Sequence, residues 1–170
     1  MSKKITQQVY LGLGSNLGQP LAQLGEAIRA LRTIATKRLC KSRVYHTAAW
    51  GVTDQPPFLN QVVALETTLG PFALLDAVLE IEQQMGRIRR RHWGERIIDI
   101  DILSYGPVIV RSDRLQIPHP YLAERQFVLT PLQAIAPGWI HPVDGRTVAQ
   151  LRQRCPDGGA VVPLDTGNAS

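Results

Sequence analysis

The chain has 170 residues and a mass of 18.8 kDa, with 44% apolar and 19% charged residues, which suits one globular domain and excludes disordered, collagen-like and disulfide-stapled classes. No apolar run approaches the ~20 residues that span a bilayer, and Met1-Ser2-Lys3-Lys4 leads into no apolar signal core, so a cytoplasmic protein without a membrane partner is expected. A net charge of +5 favours an anionic partner without choosing among nucleic acid, anionic lipid and polyphosphate.

Val9 to Leu11 reads as a first strand running into a turn over Gly12 to Gly18. Pro20 suits a first helical position, and Leu21, Leu24, Ile28, Leu31 and Ile34 or Ala35 recur at helical steps behind it. Arg43 to His46 suggests a second strand, Thr47 to Pro57 a loop, and Gln61 to Thr67 a third strand. Pro71 opens a second helix with Leu74, Leu75, Val78, Leu79 and Ile81 inward, and Gly86 is placed like its left-handed cap. Ile97 to Leu103 is a fourth strand, Pro118 to Tyr121 a loop, and Phe127 to Ala136 a short helix that Pro131 interrupts. From Cys155 onward the chain reads as a loosely ordered tail, so 1–170 is expected to form a single domain with a tail over about 155–170. The order β-α-β-β-α-β predicts an α+β, ferredoxin-like fold, helices on one side of an antiparallel sheet, with C-terminal additions.

The sharpest chemical signal is Ile97-Ile98-Asp99-Ile100-Asp101-Ile102-Leu103. Strand alternation places Ile98, Ile100 and Ile102 on one face and Asp99 and Asp101 on the other, with Cα atoms about 6.5 Å apart. Two carboxylates sharing a face repel, so they require a compensating cation. A charged edge strand or partners for nearby arginines would account for them, as would a magnesium site completed by substrate phosphates. Five of the nineteen Lys and Arg residues, Arg87, Arg89, Arg90, Arg91 and Arg96, fall just before this strand, with His92 and Trp93 among them. All five are arginine, whose planar fork grips phosphate oxygens in pairs. Carboxylates for magnesium beside an arginine cluster are the recurring parts of phosphoryl transfer.

The other motifs are weaker. Gly12-Leu13-Gly14 lacks the spacing of a dinucleotide fingerprint and any Walker A ending, so close strand packing explains the glycines as well as phosphate binding does. His119, between Pro118 and Pro120, is held in extended geometry and is either a phosphate donor or an idle loop residue. Trp50, Phe58, Trp93 and Phe127 fall in or beside loops, where they could form a stacking slot for a flat heterocycle or simply fill the core. Cys40 and Cys155 have no zinc or redox spacing and read as reduced bystanders.

Five segments occur together and in order: Leu13-Gly14-Ser15-Asn16-Leu17-Gly18, Asp54-Gln55-Pro56 with Phe58-Leu59-Asn60, Gly86-Arg87 to Trp93-Gly94-Glu95-Arg96, Asp99-Ile100-Asp101-Ile102, and Pro118-His119-Pro120 to Arg125 with Phe127-Val128-Leu129. Together they resemble the 6-hydroxymethyl-7,8-dihydropterin pyrophosphokinases. The resemblance implies transfer of pyrophosphate from ATP to the 6-hydroxymethyl group of a reduced pterin in tetrahydrofolate biosynthesis, releasing AMP. It implies that Asp99 and Asp101 hold two magnesium ions and that Arg87 and Arg96 act with them as catalytic residues. Arg87, Arg89, Arg90, Trp93, Arg96, Ile102, Arg114, His119 and Arg125 would contact ATP. The pterin would stack between Phe58 and Phe127, with Thr47, Ala48, Ala49, Trp50, Gly51, Asn60 and Trp93 completing its site.

The competing class is a basic nucleic-acid binding module, which leaves two carboxylates repelling the ligand beside its phosphate path. A two-metal phosphodiesterase would want more Asp and His ligands than the sequence assembles. A monomer binding ATP and pterin, with no nucleic-acid partner, is the expectation.

Overall fold

The computed structural model describes residues 4–47, 56–86 and 97–164. Arg87, Arg89, Arg90, Arg91, His92, Trp93 and Arg96, along with Ala48, Ala49, Trp50, Gly51, Asp54 and Gln55, lie outside the described residues.

At the centre of the sheet, β1 (Gln7–Ser15) pairs antiparallel with β4 (Phe58–Thr67) on one side and β5 (Asp99–Tyr105) on the other. Outside β4 lie β2 (Cys40–Lys41) and β3 (Tyr45–Thr47), and β3 in turn pairs with β8 (Val162–Pro163). The order β5-β1-β4-β3 is that of the expected ferredoxin-like core. The strand expected over Arg43 to His46 begins at Tyr45 as β3, and the short β2 precedes it; between them Ser42 stays tied to β4, its N–H donating to Val62 O at 2.9 Å and its Oγ accepting from Val62 N at 3.0 Å. Two short strands, β6 (Val110–Arg111) and β7 (Gln116–Ile117), form a separate hairpin absent from the sequence reading.

One face of the sheet carries α1 (Pro20–Leu31) and α2 (Pro71–Gln84), each opened by a proline whose missing N–H costs nothing there. Leu24, Ala27, Ile28 and Leu31 meet Leu74 and Val78 over Val9, Leu11, Leu13, Val63, Ile100 and Ile102. Each such buried aliphatic side chain is worth about 1.5–3 kcal/mol, so the sheet supports whatever stands on its other face. Leu24 and Val78 are buried as expected, whereas Leu21 and Leu79 of the same expected stripes are 47% and 37% exposed. Gly86 is the expected left-handed cap, with φ of 83° and its N–H donating to Gln83 O at 3.0 Å.

The opposite face is partly covered by α3 (Gln126–Ile135) and α4 (Val148–Arg154), which pack Leu129, Leu132, Val148 and Leu151 over Val62 and Leu103. Helices therefore flank both faces instead of one. Pro131 lies buried within α3 without ending it. Within the stretch expected as a tail, β8 joins the sheet, and Gln126 N donates to Asp157 Oδ2 at 3.2 Å.

Candidate active site

Along β5 the alternation is as the sequence requires. Ile98, Ile100 and Ile102 are buried in the core beneath α1 and α2. Asp99 and Asp101 turn to the other face, where they pair in register with Gly14 and Gly12 of β1. The glycines are strand residues rather than a phosphate loop, since β1 is paired on both sides through Gly14. Their use here is clearance. A Cβ on Gly14 would come 3.2 Å from Asn60 Oδ1 and 3.8 Å from Phe58, and one on Gly12 would meet Leu103 at 3.4 Å.

That clearance opens a pocket lined by Gly12, Gly14, Thr47, Phe58, Asn60, Arg125 and Phe127, with Asp99 and Asp101 at one side. Phe58 is the first residue of β4 and Phe127 the second of α3, each beside a loop as expected and each carried by a regular element. Asn60 Nδ2 donates to Thr47 Oγ1 at 2.8 Å across the β3–β4 pair, which holds the carboxamide against β3. The pocket joins aromatic surfaces to a few fixed polar groups, the build of a site for a flat polar heterocycle.

A groove of about 610 Å³ lies beside it, lined by Leu75, Leu79 and Glu82 of α2, Ile102 of β5, and Arg114, His119 and Tyr121. Among the described residues, Asp99 and Asp101 are the two that line both cavities. His119 follows a cis Ile117–Pro118 bond, and its N–H donates to Leu103 O at 3.0 Å. Tyr121 N donates to His119 Nδ1 at 3.2 Å, so the neutral ring carries its proton on Nε2, 3.9 Å from Asp101 Oδ2. Burial pushes this imidazole down to about 4, the Arg125 guanidinium acts the same way, and Asp99 opposes them. At neutral pH His119 is therefore an uncharged donor at the groove and not the cation of an ion pair.

Arg125 places Nη1 4.0 Å from Asp101 Oδ2 and its guanidinium 5.5 Å from the centre of the Phe127 ring. It lines the aromatic pocket, beside the carboxylates that border the groove. Arg114 lines the groove but is held by an ion pair with Asp76 of α2. Thus Asp99, Asp101, Ile102, Arg114 and His119 meet in the groove, and Thr47, Phe58, Asn60, Arg125 and Phe127 in the pocket.

Sequence reasoning missed Glu82, 3% exposed, whose carboxylate accepts from Ile100 N at 3.1 Å. Ile100 lies between the two aspartates on an edge strand, so Glu82 satisfies a strand donor that no further strand among the described residues reaches. Its signal was present, as a carboxylate on the inward face of α2 next to Val78 and Ile81.

Two carboxylates on one rigid strand, beside a groove with room for phosphates, fit a hard divalent cation that takes its remaining ligands from substrate and water. No group of three or more His, Cys, Asp or Glu gathers as a metal cluster among the described residues.

The profile of the family described as 7,8-dihydro-6-hydroxymethylpterin-pyrophosphokinase (HPPK) matches residues 10–137. The 2-amino-4-hydroxy-6-hydroxymethyldihydropteridine pyrophosphokinase of Methylorubrum extorquens is 45% identical over 144 residues, covering 84% of this chain and 90% of its own length. The pyrophosphokinase of the same name from Pseudomonas aeruginosa is 42% identical over 151 residues, 88% of this chain and 93% of its own. Among solved structures, wild-type Plasmodium falciparum HPPK-DHPS with pteroate superposes with a TM-score of 0.71 at 17% identity over 91% of this chain. The present chain spans 43% of that longer protein, and the likeness to it is one of fold. With the sheet order, the paired carboxylates and the profile match all covering the same stretch, the chain belongs to the 7,8-dihydro-6-hydroxymethylpterin-pyrophosphokinase family.

Proposed function

We propose that this protein transfers pyrophosphate from ATP to the hydroxymethyl group of 6-hydroxymethyl-7,8-dihydropterin, releasing AMP, as a folate-biosynthetic enzyme. The observation that carries this reading is that Asp99 and Asp101 line both the aromatic pocket and the groove, so one pair of carboxylates stands where two substrates would meet.

The pterin occupies the pocket, its ring between Phe58 and Phe127 and its polar edge read by Asn60 and Thr47. The triphosphate lies along the groove, with Ile102 and Leu75 offering apolar surface and His119 Nε2–H a neutral donor. The hydroxymethyl oxygen attacks the β-phosphorus, the bond from that phosphorus to the oxygen bridging the α-phosphate breaks, and AMP departs with the bridging oxygen. Such a reaction is catalysed by positioning and by neutralising charge. Asp99 and Asp101 would hold two magnesium ions between the substrates, which supply that neutralisation and acidify the attacking hydroxyl. Arg87 and Arg96 would bind phosphate oxygens with them, and Arg89, Arg90, Arg114 and Arg125 would contact ATP; Trp93 would touch both substrates. Residues Ala48, Ala49, Trp50 and Gly51 would border the pterin.

We further propose a single catalytic domain over 1–170, acting as a cytoplasmic monomer; among the described residues no helix is long and apolar enough to cross a membrane. Incubation with ATP, magnesium and the hydroxymethyl dihydropterin should yield AMP and the pterin diphosphate in equal amounts. ADP would instead indicate a simple kinase, and no product would remove the proposal.

A further inference from the structure

The end of β1, the start of α1 and the entry to β5 meet at one side chain. Gln23, in the first turns of α1, places Nε2 2.8 Å from Ser15 Oγ, 2.6 Å from Leu17 O and 2.8 Å from Ile97 O. Its Oε1 accepts from Gln19 N at 3.0 Å. These partners settle the amide's orientation, because backbone carbonyls only accept and a backbone N–H only donates. The Ser15 hydroxyl donates to the same Ile97 carbonyl. Gly18 makes room for the arrangement: its φ is 76°, and a Cβ there would lie 2.6 Å from Gln23 Oε1.

Ile97 lies just outside the ladder, whose pairing of β5 with β1 begins at Asp99 and Gly14. Its carbonyl is therefore held by side chains, two residues before the first of the two carboxylates. A helix cap alone would need only the acceptor Oε1 toward Gln19. The Nε2 contacts reach instead across the fold to β5.

We infer that Gln23 is a positioning residue for the transfer reaction: by clamping the Ile97 carbonyl to the β1–α1 turn, it sets where Asp99 and Asp101 meet the nucleotide. The inference rests on the reading of these two carboxylates as the nucleotide and metal ligands. Displacement of a reacting group by about 1 Å costs on the order of 100-fold in rate, so a loosened strand entry should be visible in kcat.

The test compares Gln23→Leu, Gln23→Glu and Ser15→Ala with the wild type for AMP formation, pterin binding and thermal unfolding. Gln23→Glu keeps an acceptor for Gln19 N and loses the donors to Ile97 and Leu17, whereas Gln23→Leu loses both. Both variants should lose roughly 10- to 100-fold in kcat while pterin affinity stays within about twofold and unfolding stays cooperative. Normal kcat in Gln23→Glu would overturn the inference, as would a loss of pterin affinity matching the loss of rate. Should neither Gln23 variant fold, Ser15→Ala decides, because it leaves Gln23 in place and removes one donor to Ile97: a reduced kcat supports the clamp, and an unchanged kcat overturns it. A wild type that forms no AMP would sink the reading of the site itself, whereas an active wild type with indifferent variants would sink this inference alone.

Discussion

Gly14 stands opposite Asn60 across the β1–β4 pair, and a Cβ added to Gly14 would come 3.2 Å from Asn60 Oδ1. That oxygen belongs to the carboxamide whose nitrogen is tied to Thr47, so it has little freedom to retreat. Overpacking of this kind costs about 1–3 kcal/mol. Gly14→Ala should weaken pterin binding about tenfold or more and leave ATP-analogue binding nearly unchanged. Fluorescence titration of each ligand measures both, and equal losses would show that Gly14 does not border the pterin.

Phe127 is held on the first turn of α3 beside Arg125, and its ring faces the pocket. Phe127→Ala should reduce pterin affinity by about tenfold or more through lost stacking and burial, again with a smaller effect on the nucleotide. Calorimetric titration with pterin and with a non-hydrolysable ATP analogue separates the two effects.

Asp157 bridges two pieces of backbone, accepting from Gln126 N at 3.2 Å through Oδ2 and from Gly159 N at 2.8 Å through Oδ1. It thus anchors the start of the helix that carries Phe127, where a negative charge also suits the helix dipole. Asp157→Ala should cost about 0.5–2 kcal/mol of stability in urea unfolding, the range for a lost N-terminal cap. Unchanged stability would show that Asp157 does not anchor this helix.

His119 makes stability depend on pH. In the unfolded chain its pKa is near 6.5, and in the folded protein, free of metal and nucleotide, it is about 4. The unfolded state therefore takes up a proton that the folded state refuses. Its contribution to stability is complete above about pH 6.5 and is lost as pH falls through that value toward 4. Between pH 6.5 and 5, the fall in unfolding free energy should be shallower for His119→Gln than for the wild type. Identical slopes would show that the imidazole is not held neutral.

Much of this was legible in the residues. The Ile98-Asp99-Ile100-Asp101-Ile102 alternation predicts two faces from strand geometry alone, and both faces are as required. The order of helices and strands likewise predicts the ferredoxin-like core. Of the two explanations the sequence leaves for Gly12 and Gly14, close strand packing is the one the structure bears out, and the turn expected from Gly12 starts later because pairing on both sides of β1 overrides glycine's local aversion to strands. The second helical layer was half hidden, since α4 is only seven residues long and its capping box, Thr147 with Gln150, is the clearest mark of its start. Gln23 could not have been found from sequence, because its role depends on Ile97, 74 positions away, approaching across the fold.

The proposed function rests most heavily on Asp99 and Asp101, which line both pocket and groove and would there hold the metal. Its most direct test is AMP formation by Asp101→Asn across a magnesium titration, with pterin binding measured on the same sample. Turnover should fall by at least about 1,000-fold at any magnesium concentration, with pterin binding and cooperative unfolding retained. Near-normal turnover in Asp101→Asn, or wild-type turnover insensitive to a chelator, would contradict it.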